Sequence, residues 1–354
     1  MTHTTTTAFP RTIGMDLGSR KSSFCIVGVD GERLQEGELK TTKPEMRSFF
    51  VAEPTSRVVI EASGPCRWIA ELAESCGHEV IVANPREFRL ICESHRKTDR
   101  NDARILADFG QFRPQLLRPI QLRGLKCQIA RTTLAARSHA VRQRTLLISL
   151  IRAQVANLGE SLSDCSAATF HKSAPERIPS VLRPALDPLM EVLQAATKAV
   201  AEYDREVDRL CEKEFPETAM LTQVNGVGPN TALAFVATVE DPARFRRSRD
   251  VGAYVGLVSK SRSSGSKAPQ LRISKRGDKG LRRLLVSAAT YIVGPRAKDS
   301  DLRRCGERLQ ARGGQASRSK ARIAVARKLS VLLHRLWITG EVYEPLRNHP
   351  ESAA

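Results

Sequence analysis

Acidic residues are in short supply: 38 Asp or Glu stand against 57 Lys or Arg in 354 residues, a formal net charge of +19. That imbalance calls for a polyanionic partner, with nucleic acid well ahead of an acidic membrane. Paired cysteines are missing too. The eight (Cys25, Cys66, Cys76, Cys92, Cys127, Cys165, Cys211, Cys305) are scattered with no C-x-x-C, which argues against a disulfide framework or zinc site and for a reducing compartment. No stretch approaches the roughly 18 to 20 apolar residues that cross a bilayer. The start, MTHTTTTAFPRT, lacks the basic end and apolar run of a secretion signal. A cytoplasmic, nucleoid-associated protein without a membrane partner is expected. There is no repeat at solenoid periods, and the seven histidines are too scattered for a Ser/His/Asp arrangement.

What is present is ample for a core. Hydrophobic content is 41%, ordinary for globular proteins, and the length suits two or three domains. The cationic excess is concentrated. Ala243 to Arg335 carries 25 Lys or Arg against 5 Asp or Glu, which accounts for the whole surplus. A solvated basic surface is the alternative, but so one-sided a field repels itself.

Residues 12–16 and 22–29 read as a hairpin, and 33–40 as a third strand after the Asp30-Gly31 turn. A helix near 44–52 precedes RVVIEA (57–62), a β-branched run expected as a buried parallel strand. Pro65 opens a helix to about Cys76, HEVIVA (78–83) is another strand, and helical patterns run through Phe88 and from Thr98 to Phe109. This order predicts an α/β mixed sheet with helices on both faces. Two long helices follow, about 122–158 and 185–213, the second with Leu189, Val192, Ala196, Val200 and Val207 at three-to-four spacing, and a Ser/Pro loop lies between them. A helical hairpin, an intermolecular coiled coil or a bundle on its own domain all fit. Further helices are expected at about 279–293 and 318–338, in a mainly α C-terminal part.

Asp16 and Glu61 close two strands, and adjacent strands would bring them to one edge. Asp99 and Asp102, three apart at a helix start, share a face. Four converging acids repel unless cations sit among them, and hard, oxygen-ligated Mg²⁺ is the natural choice. Two ions about 3.5–4 Å apart would clamp the attacking and leaving oxygens of a phosphodiester. Asp99 could equally cap its helix, whereas an ionised Glu61 at a buried strand end needs a partner.

In NGVGPNTA (225–232), Gly226 and Gly228 would let backbone N–H groups approach phosphates; a tight turn before a buried helix is the plain alternative. The segment 259–289 sets serines on a Gly-containing stretch amid Arg262, Lys267, Arg272, Lys275, Arg276, Arg282 and Arg283. A solvated linker or phosphate contacts would explain that composition equally well.

GMDLGSRKSSFCIV, VVIEASG and KTDRNDARILA resemble the three acidic blocks of the insertion-sequence one-ten transposase family. AYVGL, SSG, RISKRGDKGLRRLL and AVARKLSVLLHRLW resemble its C-terminal transposase domain, so the likeness runs from about Thr12 to Leu346. The resemblance implies a RuvC-like, ribonuclease H-fold domain whose Asp–Glu–Asp–Asp tetrad falls on Asp16, Glu61, Asp99 and Asp102. It implies a serine nucleophile at Ser264, with Ser263 as rival because VSKSRS departs from the usual Pro-containing version. It also implies a structured guide RNA transcribed from the element itself.

Chemistry is compatible with such a nucleophile. A covalent phosphoserine keeps the bond energy that hydrolysis discards, and arginines would stabilise the transition state. Serine and acids on different domains require the chain to fold back or a dimer or tetramer to form. The expected parts are residues 1–115 (RuvC-like domain), 116–215 (helical hairpin or coiled coil) and 216–354 (transposase domain). The expected function is a DNA transposase or recombinase. A RuvC-like junction nuclease using water, or a non-catalytic nucleic-acid-binding protein, remains the alternative.

Overall fold

The computed structural model describes residues 9–84, 98–260, 271–314 and 316–348. The expected helix through Phe88 falls outside these residues. The chain divides into two compact units, Met1–Leu122 and Arg123–Ala354.

The first unit is a mixed α/β structure on a five-stranded sheet. Its elements are β1 (Arg11–Leu17), β2 (Lys21–Gly28), β3 (Arg33–Lys40), α1 (Lys43–Ala52), β4 (Arg57–Glu61), α2 (Cys66–Ser75), β5 (Glu79–Ala83) and α3 (Asp99–Phe112). Strand order is β3-β2-β1-β4-β5. The first three strands form the antiparallel meander, and β4 and β5 continue it in parallel beyond β1. Alternation assigns the two faces. Ile13, Met15, Val58 and Ile60 pack with Met46 and Phe50 of α1 and Ile69 and Ala73 of α2. Each of these buried Val, Ile, Met and Phe side chains contributes roughly 1.5–3 kcal/mol.

Thr12, Gly14 and Asp16 point to the opposite face, where α3 lies. A Cβ on Gly14 would stand 2.2 Å from the Ala103 carbonyl oxygen and 2.3 Å from the Ala107 nitrogen. Only glycine lets strand and helix come this close. Farther along, a Cβ on Gly110 would reach 2.3 Å from Val59 Cγ2, and the buried Arg57 donates to the Gly110 carbonyl at 3.0 Å.

The second unit is mainly helical: α4 (Leu125–Ala156), α5 (Arg183–Lys213), α6 (Pro229–Val239), α7 (Lys279–Ile292), α8 (Asp301–Ala311) and α9 (Ser317–Thr339). The long helices α4 and α5 form an antiparallel hairpin. Arg137 meets Asp204 at 2.6 Å, and the Lys126 ammonium donates to the Glu214 carbonyl. The expected stripe holds in part: Val200 and Val207 are buried and Leu189 packs on the hairpin core, but Val192, 54% exposed, turns outward and Leu186, Met190 and Leu193 complete the seam. These three pack on Ile148, Ile151 and Val155. The other end of the hairpin joins the C-terminal core, with Cys127, Ala130, Val207 and Leu210 packed among α6, α7 and α9. Helix α8 was not anticipated. It buries only Leu302, Cys305 and Gly306, too few for a clear apolar period.

Seven cysteines among the described residues are free thiols; Cys92 is not described. Among those residues no helix is long and apolar enough to cross a membrane.

Candidate active site

The parallel pairing of β1 with β4 sets Met15 opposite Ile60. The next residues, Asp16, one before the end of β1, and Glu61, at the end of β4, therefore stand side by side. Both belong to the α3 face, because Gly14 and Val59, two residues earlier, pack against that helix. Side chains two apart on a strand share a side.

Helix α3 completes the edge. Its C-terminal half lies over Thr12 and Val59 through Gly110, and Ala103 and Ala107 lie over Gly14. The first turn, with Asp99 and Asp102, thus runs on toward Asp16. The helix cap is Thr98, whose hydroxyl accepts from the Asn101 N–H at 3.3 Å. That corrects the capping alternative for Asp99: the residue occupies the first helical position instead. Carboxylates in a first helical turn are stabilised by the unpaired N–H groups there.

Asp16, Glu61 and Asp102 each have a partner within the protein. Among the described residues, no three His, Cys, Asp or Glu side chains are gathered closely enough to hold a metal ion. The backbone sets Asp16 and Glu61 side by side and runs the first turn of α3 toward that edge, without closing the acids into a cage. Their chemistry, all carboxylate oxygen, suits a hard divalent cation.

Sequence reasoning missed the residue that ties α3 down. Arg104 donates two hydrogen bonds of 2.6 Å to both oxygens of Glu36 on β3. The Arg104 guanidinium holds the Glu36 carboxyl below its ordinary value. Behind this pair, burial and then Glu36 push the Cys25 thiol up to about 12, so Cys25 is an inert, protonated packing group. An Arg two residues after Asp102 was the available signal, hidden because a charge on a helix is usually solvated.

In the second unit, Ser263, Ser264, Arg262 and Lys267 lie outside the described residues. The flanks are built with care. Lys260 N–H donates to Arg272 O at 3.0 Å, and Ser274 N–H to Val258 O at 2.8 Å. A Cβ on Gly256 (φ +74°) would fall 2.0 Å from Arg276 O, and one on Gly277 (φ +79°) 2.0 Å from Tyr254 O. Glycine is required at both positions by space and by φ.

The arginines singled out from the sequence differ in employment. Arg282 donates to the carbonyls of Val255 (3.0 Å) and Arg276 (2.9 Å), and Arg283 donates to the Ser138 hydroxyl. Arg272, Lys275 and Arg276 are exposed. A further node went unpredicted: Arg131 binds Thr238 Oγ1 at 2.9 Å and Asp278 at 2.7 Å, while Asp278 caps α7 by accepting from Leu281 N–H at 2.7 Å. Burial pushes the Asp278 carboxyl up, but the Leu281 N–H and Arg131 outweigh it and hold it below the ordinary value.

Gly226 (φ +93°) and Gly228 shape the turn into α6, and nothing lies within 4 Å of the Cβ that Gly228 lacks. Two histidines are structural. His78 accepts from Ser56 N–H and meets Phe50 O at 2.9 Å, and His334 meets Pro242 O at 2.9 Å.

Comparison with known proteins matches both regions. Residues 13–158 match a DEDD transposase domain, and residues 218–304 match the "Transposase IS116/IS110/IS902 family". The transposase for insertion sequence element IS1111A of Coxiella burnetii is 27% identical over 342 residues, covering 94% of this chain and 90% of that protein. The transposase for insertion sequence element IS1328 of Yersinia enterocolitica is 28% identical over 284 residues, covering 79% and 83%. An N-terminal DEDD domain implies a divalent metal. With its acid-edged mixed sheet followed by a helical C-terminal region, the chain belongs to the IS116/IS110/IS902 family of insertion-sequence transposases, enzymes that cut and join DNA.

Proposed function

We propose that this transposase cuts and rejoins DNA through a phosphoserine intermediate, with Mg²⁺ held by Asp16, Glu61, Asp99 and Asp102. The observation that carries the metal assignment is the edge itself: Asp16 and Glu61 follow a parallel register pair and share the face on which the first turn of α3 lies. Bound there, Mg²⁺ supplies neutralisation of the phosphodiester's developing charge. Ser264, or Ser263 if the loop register shifts by one, attacks phosphorus through Oγ and gives up its proton. One P–O bond of the strand breaks and releases a hydroxyl end. Attack by another hydroxyl end on the phosphoserine re-forms a phosphodiester and returns the serine, so no outside energy is needed. Arg272, Lys275 and Arg276, exposed beside the loop, suit phosphate contacts, as do the N–H groups at Gly226 and Gly228. The partners proposed are element-end and target DNA, a structured guide RNA from the element, and a second copy or copies of the chain.

The test incubates the protein with labelled element-end DNA, Mg²⁺ and candidate RNA and looks for a covalent protein–DNA adduct. Ser264→Ala should eliminate adduct and strand transfer together, with Ser263→Ala as the register control. Adducts that survive in the double variant would remove this loop from the chemistry.

A further inference from the structure

Beyond the carboxylate edge and the serine segment, the second unit holds a cavity of about 430 Å³ lined by Gln223, Asn225, Tyr291, Arg296, Lys298 and Tyr343, among others. That volume falls in the roughly 300–1,000 Å³ range of small-ligand sites. Its walls are fastened rather than loose. The C-terminal strap is tied across it by Tyr343 N–H to Gln223 Oε1 at 2.9 Å and by Asp301 N–H to Pro345 O at 2.7 Å. The Gly226 turn lies directly on the end of α7, since a Cβ there would come within 3.0 Å of Tyr291 Cδ1.

The chemistry of the lining has a direction. Tyr291 is 48% exposed, although it is a large ring at the end of a packed helix. Among the described residues, neither Arg296 nor Lys298 has a side-chain partner. The acid beside them, Asp299, is already neutralised by Arg304 through hydrogen bonds of 2.7 and 3.1 Å. A free aromatic face, two uncommitted cations and the Asn225 amide therefore border one cavity. An exposed aromatic ring beside cations is how proteins hold unpaired bases: the ring stacks the base and the cations take the phosphate. A duplex cannot use the arrangement, because its bases are already stacked.

We propose that this cavity takes one unstacked nucleotide of a single-stranded nucleic acid, its base laid against Tyr291 and its phosphate held by Arg296 and Lys298. The proposal rests on the reading that this half of the chain grips nucleic acid, but not on the metal centre or on the serine.

Its test uses the full chain in the presence of EDTA, so that metal-dependent strand chemistry does not intervene. The probes are a short oligodeoxythymidylate carrying 4-thiothymidine, the matching oligouridylate carrying 4-thiouridine, and a blunt duplex. Irradiation should crosslink a single-stranded probe to Tyr291 or its immediate neighbours, located by mass spectrometry of the peptides. Tyr291→Ala should weaken single-strand binding on the order of 5- to 100-fold, Tyr291→Phe should restore it, and duplex binding should not respond. Replacing Arg296 and Lys298 by Gln should lower the log–log salt slope by about 0.7, the contribution of one phosphate on a single strand. A loss with either oligomer supports the pocket and identifies the strand that fills it. Crosslinks confined to other peptides, together with wild-type affinity of Tyr291→Ala for both oligomers, would overturn it. Because adduct formation plays no part here, failure of the phosphoserine mechanism would leave this result standing.

Discussion

The two units place charge by different rules. In Met1–Leu122, backbone register does the work: Asp16 and Glu61 follow a parallel register pair, and Gly14 on the same strand as Asp16 lets the helix that bears Asp99 and Asp102 lie on the sheet through Ala103 and Ala107. In Arg123–Ala354, charge is plentiful but unequally available. The stretch Ala243–Arg335 carries 25 Lys or Arg and 5 Asp or Glu, while the rest of the chain carries 32 and 33. Even so, Arg282 is spent on two backbone carbonyls and Arg303 on Ala297 O and Glu307. A cation count therefore overstates the surface offered to a polyanion, and a pattern of four acids says nothing of the register and close helix packing on which their placement depends.

The largest expected effect concerns the cationic side. With six to ten phosphate contacts, DNA affinity should fall roughly 10³- to 10⁵-fold between about 50 and 200 mM salt. Fluorescence anisotropy across that range measures it, and a flat response would contradict the assignment of binding to this stretch. Next comes the close approach in the first unit. Gly14→Ala should destabilise that unit by about 3 kcal/mol, the upper part of the usual overpacking range, because even one methyl meets the Ala103 and Ala107 backbone. Urea unfolding followed from Trp68 reports it; an unchanged midpoint would show that strand and helix are not so close.

How much of this was legible in the sequence differs between the units for the same reason. Strand and helix positions of the first unit could be read from β-branched runs and turn residues, and both strand-end acids stood out. The clamp between Arg104 and Glu36 could not be read, since the partners are 68 positions apart and each looks like a solvated charge alone. In the second unit the two long helices are clear from length and spacing, and Leu189, Val200 and Val207 do lie on the seam, but its tight end is made by Leu186, Met190 and Leu193 while Val192 faces outward. Helix α8 escaped because Ser300, its cap, accepting from Arg303 N–H at 3.2 Å, was the main local signal beside only three buried residues.

Asp278 sharpens the comparison at a smaller scale. Asp278→Ala removes a helix cap worth about 0.5–2 kcal/mol and leaves Arg131 with Thr238 alone. Because the folded-state carboxyl is held below its ordinary value, its contribution is present above the unfolded pKa of about 3.9. It is lost as pH falls through the folded value. Thermal melts of wild type and Asp278→Ala should therefore differ near neutrality and converge in acid; a constant gap would mean that the charge is irrelevant. The smallest effect is expected at Glu36→Gln. A partly exposed ion pair is worth about 0–1 kcal/mol, so global stability should hardly move, yet hydrogen exchange in the first turns of α3 should quicken. Unchanged exchange there would show that the pair does not fasten the helix.

The most direct measurement of the central claim is strand cleavage by Asp16→Ala and Glu61→Ala in Mg²⁺, run beside DNA binding and melting without metal. If this edge holds the cation, both variants lose cleavage and adduct while binding DNA as the wild type does. Metal-free melting temperatures close to wild type would show that both variants fold, so that the lost cleavage is chemical. Cleavage at the wild-type rate by both would place the metal centre elsewhere and contradict the account.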